Sequence, residues 1–456
     1  MSIKPATPKG TRDFSSDEIA KRNYLKTVLK QAFEKFGFQP IETPSFERLE
    51  TLTGVYGEEG DRLVFKILNS GEKVKKADFD ALQNEEYQKF SRSLSEKALR
   101  YDLTVPFARY VAQHQNDLAF PFRRYQIQPV WRADRPQHGR FQEFYQCDAD
   151  IVGDRSLWQE IEMISLYDYA FNELHIEGIV LKINHRKILT GIAGVLGAEE
   201  QLTAFTIALD KLDKIGSQGV LEELKTKGFS NSSLSHLESL LTLKGSATEQ
   251  LAALKSILKS EPEGLKGIEE LEFVLAQLEG IQLKSVSLAF DLTLARGLHY
   301  YTGLIAEVKP PESVVMGSIG GGGRYDDLTG SFGLKNMSGI GISFGFERIY
   351  IVLDELGLFP KTLHHTSSVL FANFGDFAAK KAFQLLSELR RNGISGEMYP
   401  TAAKLKKQLS YADSKQIAKV ILIGSEELEQ NQFVVKDMVS GEQTTHPIAS
   451  LIQLLT

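Results

Sequence analysis

The sequence predicts an α+β protein with an antiparallel sheet flanked by helices, a helical insertion and a C-terminal α/β module. Three observations predict it. Apolar residues alternate on both sides of a turn-rich segment within 127–150. Residues 191–281 are rich in Leu, Lys, Glu and Gln, with apolar residues at helical spacing and almost no aromatic ones. Beyond Pro360, strand-like and helix-like segments alternate. We therefore expect a main domain (1–190 with 282–360), a helical insertion domain (191–281) and a C-terminal domain (361–456).

Composition excludes several classes of protein. The 456 residues suffice for two or three domains, and 42% hydrophobic with 25% charged residues is ordinary for a globular chain. A formal net charge of −6 argues against a protein coated in nucleic acid but allows a local basic site. Cys147 is the only cysteine, so an intramolecular disulfide and a cysteine-built zinc site are excluded. No segment resembles a signal peptide or a membrane span, so we expect a cytoplasmic protein.

The first 113 residues predict one long helix and several short elements. Ser15 to Glu18 fit a capping box, apolar residues follow at helical spacing, and Gly37 ends the helix. Residues 38–44 are extended and broken by prolines, which indicates an edge strand or an interface. Residues 69–97 are polar and predict a mobile loop. A short strand at 99–104 then precedes a helix.

The rest of the main domain predicts a helix at about 157–176 and strands at 179–184, 286–290 and up to 344. In the C-terminal domain, strands at 369–374, 396–398 and 420–423 alternate with helices at 377–391 and 402–412. This domain has 11 Lys and Arg residues against 9 Asp and Glu. Lys404, Lys406 and Lys407 lie close together on one predicted helix, and the pattern alone leaves both a solvated face and an RNA contact open.

The most informative segment is the predicted hairpin at 129–150. Its turn carries Arg132, Arg135 and Arg140, and the planar arginine fork suits phosphate oxygens. In the second strand, the inward side chains alternate and end in carboxylates, which suit a cationic group. These inward residues are Phe144, Gln146, Asp148 and Asp150. A solvated turn is the ordinary alternative, but arginines followed by acids at strand spacing favour a binding site.

Two glycine-containing segments add to this hairpin. Residues 294–303 bring Arg296, Tyr300 and Tyr301 together around a glycine. Residues 320–323 are four consecutive glycines, but no Gly-Lys-Ser/Thr follows, so a phosphate loop is excluded. They indicate instead a strand that passes close beneath a flat ligand, or a tight turn. Arg348 falls in the first turn of a helix predicted to begin near Phe346. The helix dipole disfavours a cation there, which points to an anionic ligand.

Together these segments resemble the class II aminoacyl-tRNA synthetases, and specifically the histidyl-tRNA synthetase family, over essentially the whole chain. Residues 38–52 resemble the first class II motif, with Pro44 as its central proline, residues 130–150 the second and residues 339–348 the third. The run Leu294-Ala-Arg-Gly-Leu-x-Tyr-Tyr is the part specific to the histidine enzymes. The resemblance implies a class II catalytic domain and a C-terminal anticodon-binding domain.

The resemblance also implies an activity and a set of binding residues. ATP and L-histidine would give histidyl-adenylate, and histidine would then pass to tRNA(His), in a homodimer and with Mg²⁺ on the phosphates; the metal ligands stay unknown. Arg296 and Arg132 would be catalytic, with Arg296 bridging the histidine carboxylate and the α-phosphate. ATP would contact Arg132, Asp134, Arg140, Phe144 and Arg348. The histidine ammonium would contact Asp102, Thr104 and Gln146, and the imidazole would lie among Asp150, Tyr300, Tyr301 and Tyr325.

Three positions depart from the commonest family pattern. Asp102 stands where many bacterial members have Glu, Gln142 replaces a frequent arginine, and His299 stands where Asp is frequent. Two alternative functions share this fold. A synthetase-like regulatory subunit of ATP phosphoribosyltransferase typically lacks the C-terminal domain, and it does not need the ATP arginines. A non-catalytic RNA-binding or signalling module would tolerate loss of Arg132, Arg296 or Arg348. This sequence has the C-terminal domain and all three arginines, which favours the enzyme.

Overall fold

A computed structural model describes residues 4–54, 61–295, 300–361, 363 and 368–455 of the chain. The backbone forms two compact units, residues 1–360 and 361–456. Each unit has its own main sheet and its own hydrophobic core. Within the described ranges, no helix is long and apolar enough to cross a membrane.

The first unit contains helices on both sides of a large sheet. Its helices are α1 (Ser16–Lys35), α2 (Leu49–Leu52), α3 (Phe79–Gln83), α4 (Tyr87–Ser93), α5 (Thr104–Gln113), α6 (Trp158–Glu173), α7 (Arg186–Val195), α8 (Leu202–Leu209), α9 (Leu212–Thr226), α10 (Asn231–Leu241), α11 (Ala247–Ile257), α12 (Pro262–Glu279) and α13 (Phe346–Glu355). Its strands are β1 (Gln39–Pro40), β2 (Phe46–Arg48), β3 (Lys66–Ile67), β4 (Lys97–Leu99), β5 (Phe122–Trp131), β6 (Glu143–Val152), β7 (Ile179–His185), β8 (Val286–Phe290), β9 (Leu304–Lys309), β10 (Gly320–Tyr325) and β11 (Gly339–Phe344).

Eight of these strands form the main sheet, in the order β1-β5-β6-β11-β10-β9-β7-β8. Neighbouring strands run antiparallel in the interior, while β1–β5 and β7–β8 are parallel pairs at the two edges. The predicted antiparallel sheet is therefore confirmed. Sequence periodicity did not reveal the parallel edges, because side chains alternate with period two in both kinds of pair. Strands β2, β4 and β3 form a separate small sheet.

Local sequence explains why α1 begins and ends where it does. The Ser15 hydroxyl accepts from the backbone N–H of Glu18, and the Glu18 carboxylate accepts from the backbone N–H of Ser15, so the predicted capping box is present. Leu25, Leu29 and Phe33 follow at spacings of four and are all fully buried. Gly37 then takes a positive φ of 77°, which a glycine adopts without steric cost, and the helix ends just before it.

The two faces of the main sheet differ in character. On one face, Phe344 of β11 packs against Phe33 of α1 and against Tyr167 and Phe171 of α6, with ring centroids 4.7 to 5.7 Å apart. Burying each such ring contributes about 1.5–3 kcal/mol. The opposite face carries polar residues at alternate positions, among them Asp148 and Asp150 of β6. The sheet is thus anchored by its apolar side and leaves its polar side for a ligand.

The segment predicted as a helical insertion is helical throughout its described elements, from α7 to α12. Helices α7 and α12 approach closely at Gly191 and Gly264, where an added Cβ on Gly191 would lie 2.7 Å from the Gly264 Cα. Buried residues of these helices, such as Phe205 and Leu271, belong to the same hydrophobic core as the sheet. The segment therefore shares the core of the first unit. Its assignment as a separate domain stays a proposal.

The second unit is a five-stranded sheet with flanking helices. Its strands are β12 (Val369–Phe371), β13 (Gly396–Met398), β14 (Lys419–Leu422), β15 (Gln432–Asp437) and β16 (Gln443–Pro447). Its helices are α14 (Asp376–Arg391), α15 (Leu405–Ser414), α16 (Ser425–Glu429) and α17 (Leu451–Leu455). The order is β13-β12-β14-β15-β16; the first three strands are parallel, and β15 and β16 continue the sheet as an antiparallel hairpin.

The prediction of a loop over residues 69–97 is wrong in its secondary structure. Besides β4, the segment contains a 3₁₀ helix at Gly71–Lys76 and the helices α3 and α4. The Asp78 carboxylate accepts from the backbone N–H of Ala81 at 3.0 Å and so caps α3. These helices bury little of their surface, so the segment is highly polar. Its polarity predicted a loop, although the Asp78 cap is present in the sequence.

The glycines of β10 permit a close approach of strands. An added Cβ at Gly322 would lie 2.1 Å from the carbonyl oxygen of Gly341 and 2.7 Å from the Cα of Ile342. Gly322→Ala should therefore push β10 away from β11 and lower the free energy of unfolding by at least about 1–3 kcal/mol. Thermal unfolding followed by circular dichroism measures this effect. Gly280→Ala is the control, because its nearest neighbouring atom would be 3.7 Å away. Equal melting temperatures for the two variants would contradict the explanation.

Candidate active site

The polar face of the main sheet forms one wall of a cavity with a volume of about 350 Å³ in the first unit. Every predicted site residue that the structure describes lines this cavity. These residues are Asp102, Thr104, Arg132, Asp134, Arg140, Phe144, Gln146, Asp150, Tyr300, Tyr301, Tyr325 and Arg348. Arg296, predicted to be catalytic, lies outside the described residues, as does His299. Strand alternation on β6 explains why Phe144, Gln146 and Asp150 share one wall.

One end of the cavity is cationic. The Arg348 guanidinium donates to the carbonyl oxygens of Gly139 at 3.1 Å and Ser318 at 2.6 Å, which fixes it at the start of α13. Burial and the nearby positive charges of Arg140 and Arg132 lower the pKa of Arg348. Three guanidinium groups held this close together repel one another. A polyanion such as a triphosphate would relieve that repulsion.

Arg132 and Arg140 are held less tightly than Arg348. The Arg132 Nε donates to the carbonyl oxygen of Tyr101 at 3.1 Å, and its guanidinium lies 5.2 Å from the ring centroid of Phe144. Arg140 lies 3.3 Å from the Asp134 carboxylate, and both side chains are partly exposed. An exposed ion pair contributes little to stability, so it can open for a ligand at small cost.

The other end of the cavity is acidic and buried. The Asp150 Oδ2 lies 2.7 Å from the Arg124 Nη2, and the Tyr325 hydroxyl donates to Asp150 Oδ1 at 2.5 Å. Burial raises the pKa of Asp150, while Arg124 and Tyr325 lower it. An added Cβ at Gly341 would lie 2.0 Å from Asp150 Oδ1, so a glycine is required beside this carboxylate.

Asp102 and the two tyrosines complete the acidic end. Asp102 is buried, and its Oδ1 accepts from the backbone N–H of Val105 at 3.1 Å, in the first turn of α5. This bond places its carboxylate at the cavity together with Thr104. Tyr300 packs against Tyr301 at 4.7 Å and edge-on against Tyr325 at 6.2 Å between ring centroids. The arrangement suits a flat ring bearing nitrogen donors, next to a cationic group.

The comparisons with known proteins agree with this geometry. A family model described as histidyl-tRNA synthetase matches residues 81–349, and a model described as anticodon binding domain matches residues 368–456. The histidine–tRNA ligase of Christiangramia forsetii is 58% identical over 97% of each chain. That of Flavobacterium johnsoniae is 54% identical over 98% of each chain. The solved histidyl-tRNA synthetase of Nostoc sp. PCC 7120 aligns with a TM-score of 0.79 at 31% identity, over 100% of this chain and 99% of that one.

The chain belongs to the histidyl-tRNA synthetase family. The family and the class II fold predicted from the sequence are thereby confirmed. The roles of individual site residues stay predictions. What the structure adds is that the predicted residues it describes meet around one cavity, with cations at one end and carboxylates at the other.

Sequence reasoning missed two buried groups that shape this synthetase-family site. Arg124 is fully buried, and only its register opposite Asp150 on β6 reveals its role. Glu347 lines the cavity and accepts from Arg22 at 2.7 Å through each of its two oxygens, and from Arg12 at 2.6 Å. Arg22 lies on α1. The sequence signal that could have revealed it was an arginine among the apolar positions of this helix. Neither the Arg124–Asp150 pair nor the Arg22–Glu347 pair lies within one predicted motif.

The hydrogen bond between Tyr325 and Asp150 is testable by itself. Tyr325→Phe leaves the buried Asp150 Oδ1 without this donor, which costs about 1–3 kcal/mol of stability. Because the bond lowers the pKa of Asp150 by favouring its ionised form, the loss should be larger at pH 8 than at pH 5. Chemical denaturation at both pH values measures it. The exposed Tyr87→Phe serves as control, and a loss independent of pH would argue against the assigned bond.

Proposed function

We propose that this chain is a histidine–tRNA ligase that forms histidyl-adenylate from ATP and L-histidine and then transfers histidine to tRNA(His). One observation carries the proposal: a single cavity has a cationic end suited to a triphosphate and an acidic, tyrosine-lined end suited to histidine. The two substrates would therefore meet where the two ends join.

The chemistry requires positioning rather than a protein nucleophile. A carboxylate oxygen of histidine attacks the α-phosphorus of ATP, the bond to the β-phosphate oxygen breaks, and pyrophosphate leaves. We assign the phosphates to Arg132, Arg140 and Arg348. In this assignment Phe144 stacks on adenine, with Asp134 near its exocyclic edge. Arg296 bridges the reacting carboxylate and phosphate. Such preorganised charges stabilise the charge that develops in the transition state.

For histidine, Asp102, Thr104 and Gln146 receive the ammonium. Asp150, Tyr300, Tyr301 and Tyr325 enclose the imidazole. The Gln146 Oε1 is buried and has no hydrogen-bond partner among the described residues, so an ammonium donor that reached it would satisfy its hydrogen-bonding capacity. Two buried groups hold Asp150 in place, which fixes the position of the ring it would bind.

Mg²⁺ fits as a companion of the ATP phosphates. The described residues contain no cluster of three metal-ligating side chains. Mg²⁺ commonly keeps its waters and binds one or two carboxylates plus substrate phosphates, so such a cluster is not required. When bound, it would neutralise charge on the leaving pyrophosphate.

We further propose a cytoplasmic homodimer that uses the segment around Pro44. The fully buried Arg100 donates to the carbonyl oxygens of Thr43 and Pro44, which fixes this segment in an extended form. Phe46, two residues on, is 47% exposed and would gain burial in an interface. The alternative of a regulatory subunit of ATP phosphoribosyltransferase is disfavoured, because such a subunit needs neither the phosphate arginines nor an anticodon-binding domain.

Amino-acid specificity tests the first step. Histidine alone among the twenty amino acids should support ATP–pyrophosphate exchange, and histidinol should bind without exchange because it lacks the attacking carboxylate. Arg132→Ala should lower the exchange rate by about 10²–10³. Arg135→Ala, an exposed change in the same loop, should leave it near the starting value. Comparable exchange with a second amino acid would refute the assigned specificity.

The lysines of the second unit test tRNA binding. Lys404, Lys406 and Lys407 are exposed at the start of α15, where they can form salt-sensitive phosphate contacts. Changing all three to Ala should weaken tRNA(His) binding and reduce the slope of log affinity against log salt concentration by about 0.9 per lost phosphate contact, or about 0.7 where the contacted phosphates belong to a single strand. Pyrophosphate exchange should stay unchanged. The matched triple change to Arg keeps the charge and should keep the affinity for tRNA(His). Unaltered tRNA binding by the Ala variant would show that these lysines do not contact tRNA.

A further inference from the structure

Asp148 is a buried carboxyl group in the cavity to which the resemblance assigns no role. It lies on β6 between Gln146 and Asp150, and it faces the cavity with them because alternate residues of a strand share a face. Only 3% of its surface is exposed. Among the described residues Asp148 has no salt-bridge partner of its own, and a carboxyl group buried in this way is costly to ionise.

The contacts of Asp148 orient a neighbour. The Gln146 Nε2 lies 3.5 and 3.4 Å from the two Asp148 oxygens, at the long end of hydrogen-bond distances. Ser343 lies directly opposite Asp148 on the adjacent β11, and its hydroxyl lowers the pKa of this carboxyl group. With its Nε2 turned towards Asp148, the Gln146 amide has its Oε1 buried and without a partner among the described residues, and an ammonium donor that reached this oxygen would satisfy it.

The charges around Asp148 come from three elements. Arg124 on β5 lowers its pKa, while Asp150 on β6 and Asp102 before α5 raise it. Burial is the largest effect, and together they raise the pKa of Asp148 to about 7. Arg124 is already paired with Asp150 at 2.7 Å. The acidic end thus holds three buried carboxyl groups, Asp102, Asp148 and Asp150, and Arg124 is paired with one of them, so an ammonium group would balance part of the remaining negative charge.

We propose that Asp148 is a positioning residue for histidine, which orients the Gln146 amide towards the substrate ammonium and ionises as that ammonium arrives. The inference rests on the proposed function. Before histidine binds, at neutral pH, about half of the Asp148 population keeps its proton, since its pKa is about 7. Binding of the ammonium favours the carboxylate, and the proton leaves to the buffer; no other bond changes.

The pH dependence of stability has a definite sign. A folded-state pKa raised from 3.8 to about 7 means that the unliganded protein loses stability as pH rises towards 7, because the unfolded chain ionises Asp148 freely. Asp148→Asn removes this penalty. At pH 8 the unliganded variant should melt at a higher temperature than the parent protein, although it binds histidine more weakly.

Calorimetry of histidine binding at pH 7, in two buffers of different ionisation enthalpy, measures the proton directly. The parent protein should release up to about half a proton more than Asp148→Asn, the fraction of the group still protonated at its pKa. The KM for histidine in pyrophosphate exchange should rise about 10-fold or more in the variant, as expected when a charge-assisted contact is lost. Its kcat should change much less.

Asp168→Asn is the matched control. Asp168 is also buried but accepts from the backbone N–H groups of Lys284, Ser285 and Val286 and does not line the cavity. This change should lower the melting temperature and leave the proton count and the KM unaltered. Asp148→Asn should instead raise the melting temperature at pH 8, lower the number of protons released and raise the KM for histidine.

Equal proton release by the parent protein and Asp148→Asn, with histidine bound by both, would overturn the proposal. Absence of histidine binding to the parent protein would overturn the proposed function instead. If Asp148→Asn does not fold, the parent protein decides the matter with imidazole propionate, which keeps the ring and carboxylate but lacks the ammonium. It should release less protein-derived proton than histidine, and equal release would refute the role of Asp148.

Discussion

The buried ion pair between Arg124 and Asp150 is the interaction on which the cavity depends. Neither side chain is more than 3% exposed, and the Tyr325 hydroxyl occupies the other Asp150 oxygen. Removing one partner of such a pair leaves an uncompensated buried charge and costs about 3–5 kcal/mol. Pairing across β5 and β6 places the two residues opposite each other, so the same register that builds the sheet also fixes the acidic end of the cavity.

Close strand packing is the second constraint, and it follows from the first. Carboxylates and tyrosine rings fit on one face of the sheet only where the neighbouring strand has glycines, which leave space for them. Gly341 leaves room for Asp150, and Gly339 leaves room for the Tyr325 ring, whose Cε2 would lie 2.4 Å from an added Cβ. Meanwhile Ile340 and Ile342 of the same strand point to the apolar face and are buried. Glycine and isoleucine therefore alternate in β11 because one face of the sheet needs space for polar side chains and the other face needs apolar packing.

Much of this could be read from the sequence, and the remainder could not, for identifiable reasons. The capping box of α1, the arginine-bearing hairpin and the alternation from Phe144 to Asp150 depend on residues close in sequence, and each was predicted. The family resemblance brought together segments more than 200 residues apart, and the described residues that it assigned to ATP or histidine line one cavity. Arg124 and the Arg22–Glu347 pair were missed because their partners lie in other elements. The short helices α3 and α4 were missed because polar composition outweighed the Asp78 cap.

The two kinds of ion pair in the cavity explain how one site can be both rigid and ready to bind. The Arg124–Asp150 pair is sealed from solvent, so its geometry is kept whether or not substrate is present. The Arg140–Asp134 pair has side chains that are 45% and 27% exposed at 3.3 Å, where water and salt compete for both partners. A phosphate can therefore displace Asp134 from Arg140 at small cost, while no ligand cation can readily displace Arg124 from Asp150. Under the proposed function, the end that cannot rearrange would select the amino acid, and the end that can rearrange would capture the nucleotide.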